Sequence, residues 1–206
     1  MADIEFGDDV EIADAEISDR DCTAASLVRA DLARCRFTGV RFAGASFEHA
    51  RLVDVEFVRC DLAGADFSEA SGVRVRATDC RFAGAELPQV RLRQCEFVDA
   101  RFDDANFRMA RLEDVRFDAC SLVTTDLTAA QLTRVVFSGS NCAATDFTNV
   151  RCEDVDLRGA RLEGIRGVGS LRGATIGRDH LVPLALDLAI ASGLLVRDEE
   201  PTEREQ

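Results

Sequence analysis

Lysine, tyrosine and tryptophan are missing altogether from this chain of 206 residues, and histidine occurs only at positions 49 and 180. Neither His49 nor His180 has a nucleophile or metal-ligand pattern beside it, so acid–base, nucleophilic and zinc chemistry all lack a sequence signature. His49 is expected to be exposed at a corner and His180 to be solvated or capping. No apolar run approaches the ~18 residues of a transmembrane helix, so no membrane partner is expected. The glycines follow no phosphate-loop spacing. The opening residues, Met1-Ala2-Asp3-Ile4-Glu5, lack the basic start and apolar stretch of a signal peptide, and a cytoplasmic protein is expected. These absences argue for a non-enzyme that needs no cofactor and no metal.

What is present is a period of five. From Ile12 to Leu162 every fifth residue is Leu, Phe or Ile, except at Cys22, Gly72, Ala77, Cys142 and Cys152. Two residues before each comes a small one (Ala25, Ala30, Cys35, Val40, Ala45), and only Arg20 in that register is large. Such a period suits neither an α-helix nor a flat strand, and a repeat this long makes a solenoid. A second period of 20 is superimposed. Leu32, Leu52, Leu92 and Leu112 form one column, and Phe37, Phe57, Phe97, Phe117 and Phe137 form another.

Units such as Ala30-Asp31-Leu32-Ala33-Arg34 and Thr125-Asp126-Leu127-Thr128-Ala129 resemble those of the pentapeptide-repeat proteins over roughly residues 10 to 165. The resemblance implies an all-β solenoid, a right-handed quadrilateral β-helix of about eight coils, capped here by a C-terminal α-helix. Each pentapeptide would form one side, with its large and small residues pointing inward. At about 4.8 Å per coil, the rod would be roughly 35–40 Å long. The expected organisation is a cap segment over 1–11, the β-helix over 12–166, a transition over 167–177, a helix and short strand over 178–196, and an acidic disordered tail over 197–206.

Eight cysteines prompt a disulfide or zinc reading, but all eight fall in the two inward registers and no C-x-x-C pair exists. They are expected to be core thiols. The irregular stretch Ser71–Asp79, where Gly72 and Ala77 replace large core residues, predicts a local dent, bulge or bend.

Charge is the main functional clue. The net is −13, from 38 acids against 25 bases, all of the latter arginine. Such a chain repels nucleic acid, so none is expected as a partner, but it could occupy a basic site that normally holds one. The side built on Leu27, Phe47, Phe67, Leu87, Phe107, Leu127 and Phe147 presents Glu48, Asp66, Glu69, Glu86, Asp126 and Asp146 against Arg29 and Arg108. That is an acidic stripe and a candidate partner-binding surface.

The C-terminal pattern predicts a helix from about Arg178 or Asp179 to Ser192, with Pro183 near its first turn and Gly193 as its stop. It is apolar on two faces. A plain end cap is one reading. The other is a homodimer interface built on Leu181, Leu184, Leu188, Leu194, Leu195 and Val196.

Coils ending in Leu171-Arg172-Gly173-Ala174-Thr175-Ile176, followed by an apolar helix, resemble the Qnr and MfpA branch of the pentapeptide-repeat proteins. That resemblance implies an acidic rod standing in for duplex DNA on DNA gyrase or topoisomerase IV. Such a rod would inhibit these enzymes or protect them from quinolones and other topoisomerase poisons. The uninterrupted phase leaves no room for the inter-coil loops of several Qnr proteins. A dimeric acidic interaction scaffold with a non-topoisomerase partner is the alternative reading.

Overall fold

The computed structural model describes residues 6–197. The initial residues through Glu5 and the tail from Asp198 to Gln206 lie outside the described residues, and with them most of the expected acidic tail.

Each coil turns through four faces. The first carries an eight-stranded parallel sheet from Glu11–Ala13 to Arg151–Glu153, and the second a nine-stranded parallel sheet from Glu16–Ser18 to Ala174–Thr175. The third and fourth faces are held by single parallel bridges, such as Asp21↔Arg41 and Ser26↔Ser46, repeated on successive coils. Strands are in register at a spacing of 20, so Leu32 meets Leu52 and Phe37 meets Phe57, except in the last pair, where Val155 meets Ala174. Like side chains therefore stack. Phe117 lies 5.1 Å from both Phe97 and Phe137, with ring planes 14° and 7° apart.

Corners form because the residue two after each large one adopts positive φ, as at Arg34, Asp54 and Met109. Left-handed backbone is unfavourable for such residues. A hydrogen bond offsets it, since the corner N–H donates to the next coil, as from Arg34 to the Val53 carbonyl at 2.8 Å. On the third and fourth faces, an Asp or Asn just before the large residue closes an Asx turn. Asp66 accepts from the Ser68 N–H and Asp126 from the Thr128 N–H, both at 2.8 Å.

The shaft is apolar and its few polar atoms are satisfied. Thr125 and Thr145 are buried, and their hydroxyls donate to the carbonyls of Phe102 and Leu122. Seven cysteines are buried and Cys152 is half-buried. Burial pushes the Cys95 and Cys120 thiols up to about 11 and Cys142 up to about 12, which keeps them protonated and inert.

Gly72 and Ala77 cause no bulge and no bend. Both strands keep full register with the coils on either side. The missing volume remains inside the shaft, as an apolar void of about 40 Å³ lined by Gly72, Phe57, Phe67, Phe82, Leu92 and Phe97 among others.

Both ends of the shaft are covered. Phe6 packs on Phe42 and Phe37 with ring centroids 5.7 and 6.4 Å away, and the Arg20 guanidinium lies 5.1 Å over Phe6. This cation–π contact explains the one large residue of the small register. At the other end, His180 is buried. Its Nε2–H donates to the Ala160 carbonyl at 2.8 Å, while Nδ1 accepts from the Gly177 N–H at 3.1 Å. His180 thus acts as a cap on the last coil.

Regular α-helix occupies only Ala185–Ala191, with a 3-10 turn at Arg178–His180 before it. It starts later than the pattern predicts because Pro183 has no N–H to donate and Leu184 is non-helical, with φ −96 and ψ 1. The helix stops at Gly193, φ +83. There the Gly193 N–H donates to the Ile190 carbonyl and the Leu194 N–H to Ala189, a Schellman motif. Leu194–Val196 form no strand. No helix among the described residues is long and apolar enough to cross a membrane.

Candidate partner-binding face

All six acids of the expected stripe stand on the fourth face, whose bridges run Ser46↔Asp66↔Glu86↔Asn106↔Asp126↔Asp146. Their environments differ. Asp146 has an exposed fraction of only 16% and faces Arg166 at 3.1 Å, on the coil beyond Phe147. Asp126 pairs with Arg108 at 3.1 Å. Its burial works to raise its pKa, but hydrogen bonds from Thr128 and Arg108 outweigh that and hold it below the usual carboxylate range. These two carboxylates are therefore compensated by arginines.

None of the other four forms an arginine ion pair among the described residues, although Glu48 lies within electrostatic reach of Arg29. Glu48 and Glu69 are about half exposed and flank the exposed His49, at 3.5 and 3.8 Å. Glu86 accepts only from the neutral Asn106 amide, at 2.6 Å. Asp66 accepts from Ser68, whose turn it closes. Asp8 joins this face one coil before Leu27, where it accepts from the Ser26 hydroxyl and the Val28 N–H. The field of the face is thus concentrated in its N-terminal half. A phase count begun at Ile12 misses Asp8, although Gly7 fits the same period.

Elsewhere, one corner and the second face are balanced by ladders between coils. Asp14, Arg34, Asp54 and Arg74 alternate down one corner, with Arg34–Asp14 and Arg74–Asp54 each at 2.5 Å. The Arg34 and Arg74 hydrogen bonds hold the Asp14 and Asp54 carboxyls below their usual range. Glu16, Arg36, Glu56, Arg76, Glu96 and Arg116 alternate down the second face, with Arg76–Glu96 at 2.9 Å. Exposed pairs of this kind contribute little stability singly. Their larger effect is on register, because a slip of one coil would set like charges together.

The expected dimer residues separate into two groups. Leu184 is buried and Leu188 half-buried against the last coil, because the helix packs that side onto the open shaft; both are withdrawn from the outer surface. Leu181, Leu194, Leu195 and Val196 are exposed, together with Val182, Leu186 and Ile190.

Stacked parallel coils, flat faces and capped ends define a four-sided β-solenoid, a class whose usable surfaces are its outer walls. Two family models match it: a pentapeptide repeat region over residues 73–147 and pentapeptide repeats in eight copies over residues 21–52. The chain belongs to the pentapeptide-repeat family. No curated protein is similar enough to match it. Among solved structures, a trypsin-treated variant of QnrB1, a plasmid-mediated fluoroquinolone resistance protein, is similar with a TM-score of 0.55 and 22% identity. That alignment covers 91% of this chain and 99% of the other. HetL, a pentapeptide-repeat protein involved in heterocyst differentiation regulation in the cyanobacterium Nostoc sp. strain PCC 7120, is 19% identical at a TM-score of 0.41. The aligned parts are 81% of this chain and 87% of HetL. The likeness to the QnrB1 variant is one of fold.

Proposed function

We propose that this protein is a non-enzymatic, cytoplasmic DNA mimic that binds DNA gyrase, inhibits it, and protects it from quinolones. Topoisomerase IV is a second candidate target. The observation that carries the reading is the fourth face, where Asp8, Glu48, Asp66, Glu69 and Glu86 present carboxylates that form no arginine ion pair among the described residues. Successive coils set them at multiples of about 4.8 Å, against roughly 3.4 Å per phosphate along a DNA strand. Aligned charge of one sign steers a basic groove onto the rod. Support also comes from the Qnr-like C-terminal sequence and from the shared fold with a fluoroquinolone resistance protein.

The test is a supercoiling assay with ciprofloxacin, comparing the wild type with the triple variant Glu48→Arg, Glu69→Arg, Glu86→Arg. None of these side chains closes a turn, so the rod should fold. Both inhibition and relief of drug-stabilised cleavage should be lost, and wild-type binding should weaken with salt, since exposed charges are screened beyond about 10 Å at 0.1 M. Unchanged inhibition by the triple variant would leave the interaction-scaffold reading in its place.

We also propose a homodimer through the C-terminal cap, where seven large apolar side chains face solvent and Val182 and Leu195 are 85% and 83% exposed. Sedimentation should give a dimer for the wild type and a monomer for Leu186→Glu with Ile190→Glu. A monomeric wild type at micromolar concentration would refute the interface.

A further inference from the structure

The first face lacks the charge alternation of the second. Its outer column runs Asp31, Arg51, Ser71, Arg91, Arg111, Gln131, Arg151. Arg51 pairs with Asp31 at 3.0 Å, as the ladders require. Arg91 and Arg111, however, lie in direct register, one strand spacing of about 4.8 Å apart, where like charges are destabilising. Arg93 on the same strand faces Glu113, but Glu113 is taken by Arg134 at 2.8 Å. Among the described residues, none of Arg91, Arg93 and Arg111 forms an ion pair, and Arg93 has only a longer-range attraction to Asp114, a carboxylate already hydrogen-bonded to Arg134. In a chain of net charge −13, three adjacent arginines without an ion pair are not something that folding requires.

A second observation falls at the same place. Met109 is 50% exposed, and among the described residues it is the sole large apolar side chain exposed on the walls, the others lying in the C-terminal cap. It occupies the corner between the fourth and first faces, two residues before Arg111. Arginine and methionine are enriched in protein interfaces, and arginine is among the commonest hot-spot residues.

We propose that Arg91, Arg93, Met109 and Arg111 form a docking patch for a carboxylate-bearing surface of a protein partner. The proposal rests on the gyrase reading: the partner presents acids beside the basic groove that receives the fourth face. A nucleic acid fits poorly, because Glu69 and Glu86 stand on the adjoining face and would repel a continuous phosphate backbone. A local acidic patch with an apolar hollow for Met109 avoids both problems. The rod would then seat in one orientation, with the acidic face in the groove and the arginine corner against the rim.

The experiment measures binding of purified gyrase to the wild type, to Arg91→Glu with Arg93→Glu and Arg111→Glu, to the corresponding triple glutamine variant, and to Met109→Glu. The glutamate variant is more acidic than the wild type. Attraction by net charge alone therefore predicts tighter binding, whereas the patch predicts binding weaker by at least about tenfold. The glutamine and Met109 variants should weaken it in the same direction. Because no ion pair is removed, melting temperatures should stay close to wild type, and the glutamine variant serves if the glutamate one fails to fold. A wild type that does not bind gyrase ends the functional proposal itself. A wild type that binds, with variants that bind equally or more tightly, overturns the patch alone. Binding of a 20-base-pair duplex by the wild type, lost in the variants, would reassign these arginines to nucleic acid.

Discussion

Replacing Gly167 with alanine is expected to strip the C-terminal cap from the rod while most coils stay folded. Gly167 has φ +76, and a Cβ there would lie 2.5 Å from the Phe147 carbonyl carbon and 2.6 Å from the Thr148 Cα, with the Thr148 amide nitrogen also in the way. Those backbone atoms cannot yield. The Phe147 N–H is bonded to the Arg166 carbonyl, and the Thr148 carbonyl accepts from Ala129, both at 2.9 Å. The clash is relieved only if the chain from Val168 onward lifts away. That uncovers Leu157, Leu162 and Ile165 and breaks the His180–Ala160 hydrogen bond. The combined cost should exceed about 3 kcal/mol, in the range reserved for strain plus core exposure. Gly159→Ala is the control, since it shares φ +76 but has open space around its Cβ, and it should cost only about 1 kcal/mol. Hydrogen exchange should show protection lost over 178–191 in the first variant and kept in the second. Similar protection and similar melting in both would refute the argument. Loss of the cap should also abolish dimerisation, which links this backbone position to the proposed assembly.

The architecture was legible in the sequence because the stacking of identical faces imposes one rule at every step, so the period of five and the columns at 20 repeat the same physics along most of the chain. The ends obey other rules. Arg20 looks like an error in the small register until Phe6, outside the repeat, is seen beneath its guanidinium. The helix start was misplaced because apolar periodicity runs through Pro183 while backbone hydrogen bonding does not. At Gly72 the pattern shows missing volume, but a dent and an internal void leave the same trace in sequence; only the intact register distinguishes them. The acidic stripe was legible as a face and not as a field. Asp146 is compensated by Arg166, a residue beyond the last coil counted, and Asp126 by Arg108, 18 residues earlier. The spacing rule that sorts residues into faces could have found both pairs, had it been applied across coils. The arginine corner is of the same kind. Arg91, Arg93 and Arg111 are plain in the sequence, but their lack of ion pairs emerges only when Glu113 is seen to be taken by Arg134.

Phe117→Ala should be the most damaging single truncation in the core. Its ring is 1% exposed and lies 5.1 Å from Phe97 and Phe137, 5.7 Å from Phe102 and 6.5 Å from Phe107. Removing it breaks two stacked contacts and two edge contacts at once, and neighbours pinned by register hydrogen bonds cannot collapse into the gap. A loss of about 3–5 kcal/mol is expected. In a solenoid, stability is approximately a sum of coil and interface terms, so the damage falls on the two interfaces that Phe117 bridges, and unfolding should begin there. Gly72→Ala should do the opposite. Glycine within a strand costs about 0.5–1 kcal/mol relative to alanine, and the new Cβ would press on the Leu92 Cδ2, 2.8 Å away, and on the Val75 Cγ2, 3.1 Å away. Both atoms are side-chain ends, and Leu92 and Val75 both border the void of about 40 Å³, into which Leu92 can turn while Val75 needs to give only a few tenths of an ångström. Urea titration of both variants should therefore move the midpoint in opposite directions. A Gly72→Ala protein less stable than wild type would mean that Leu92 has no room to move, and that the void is closed to its neighbours.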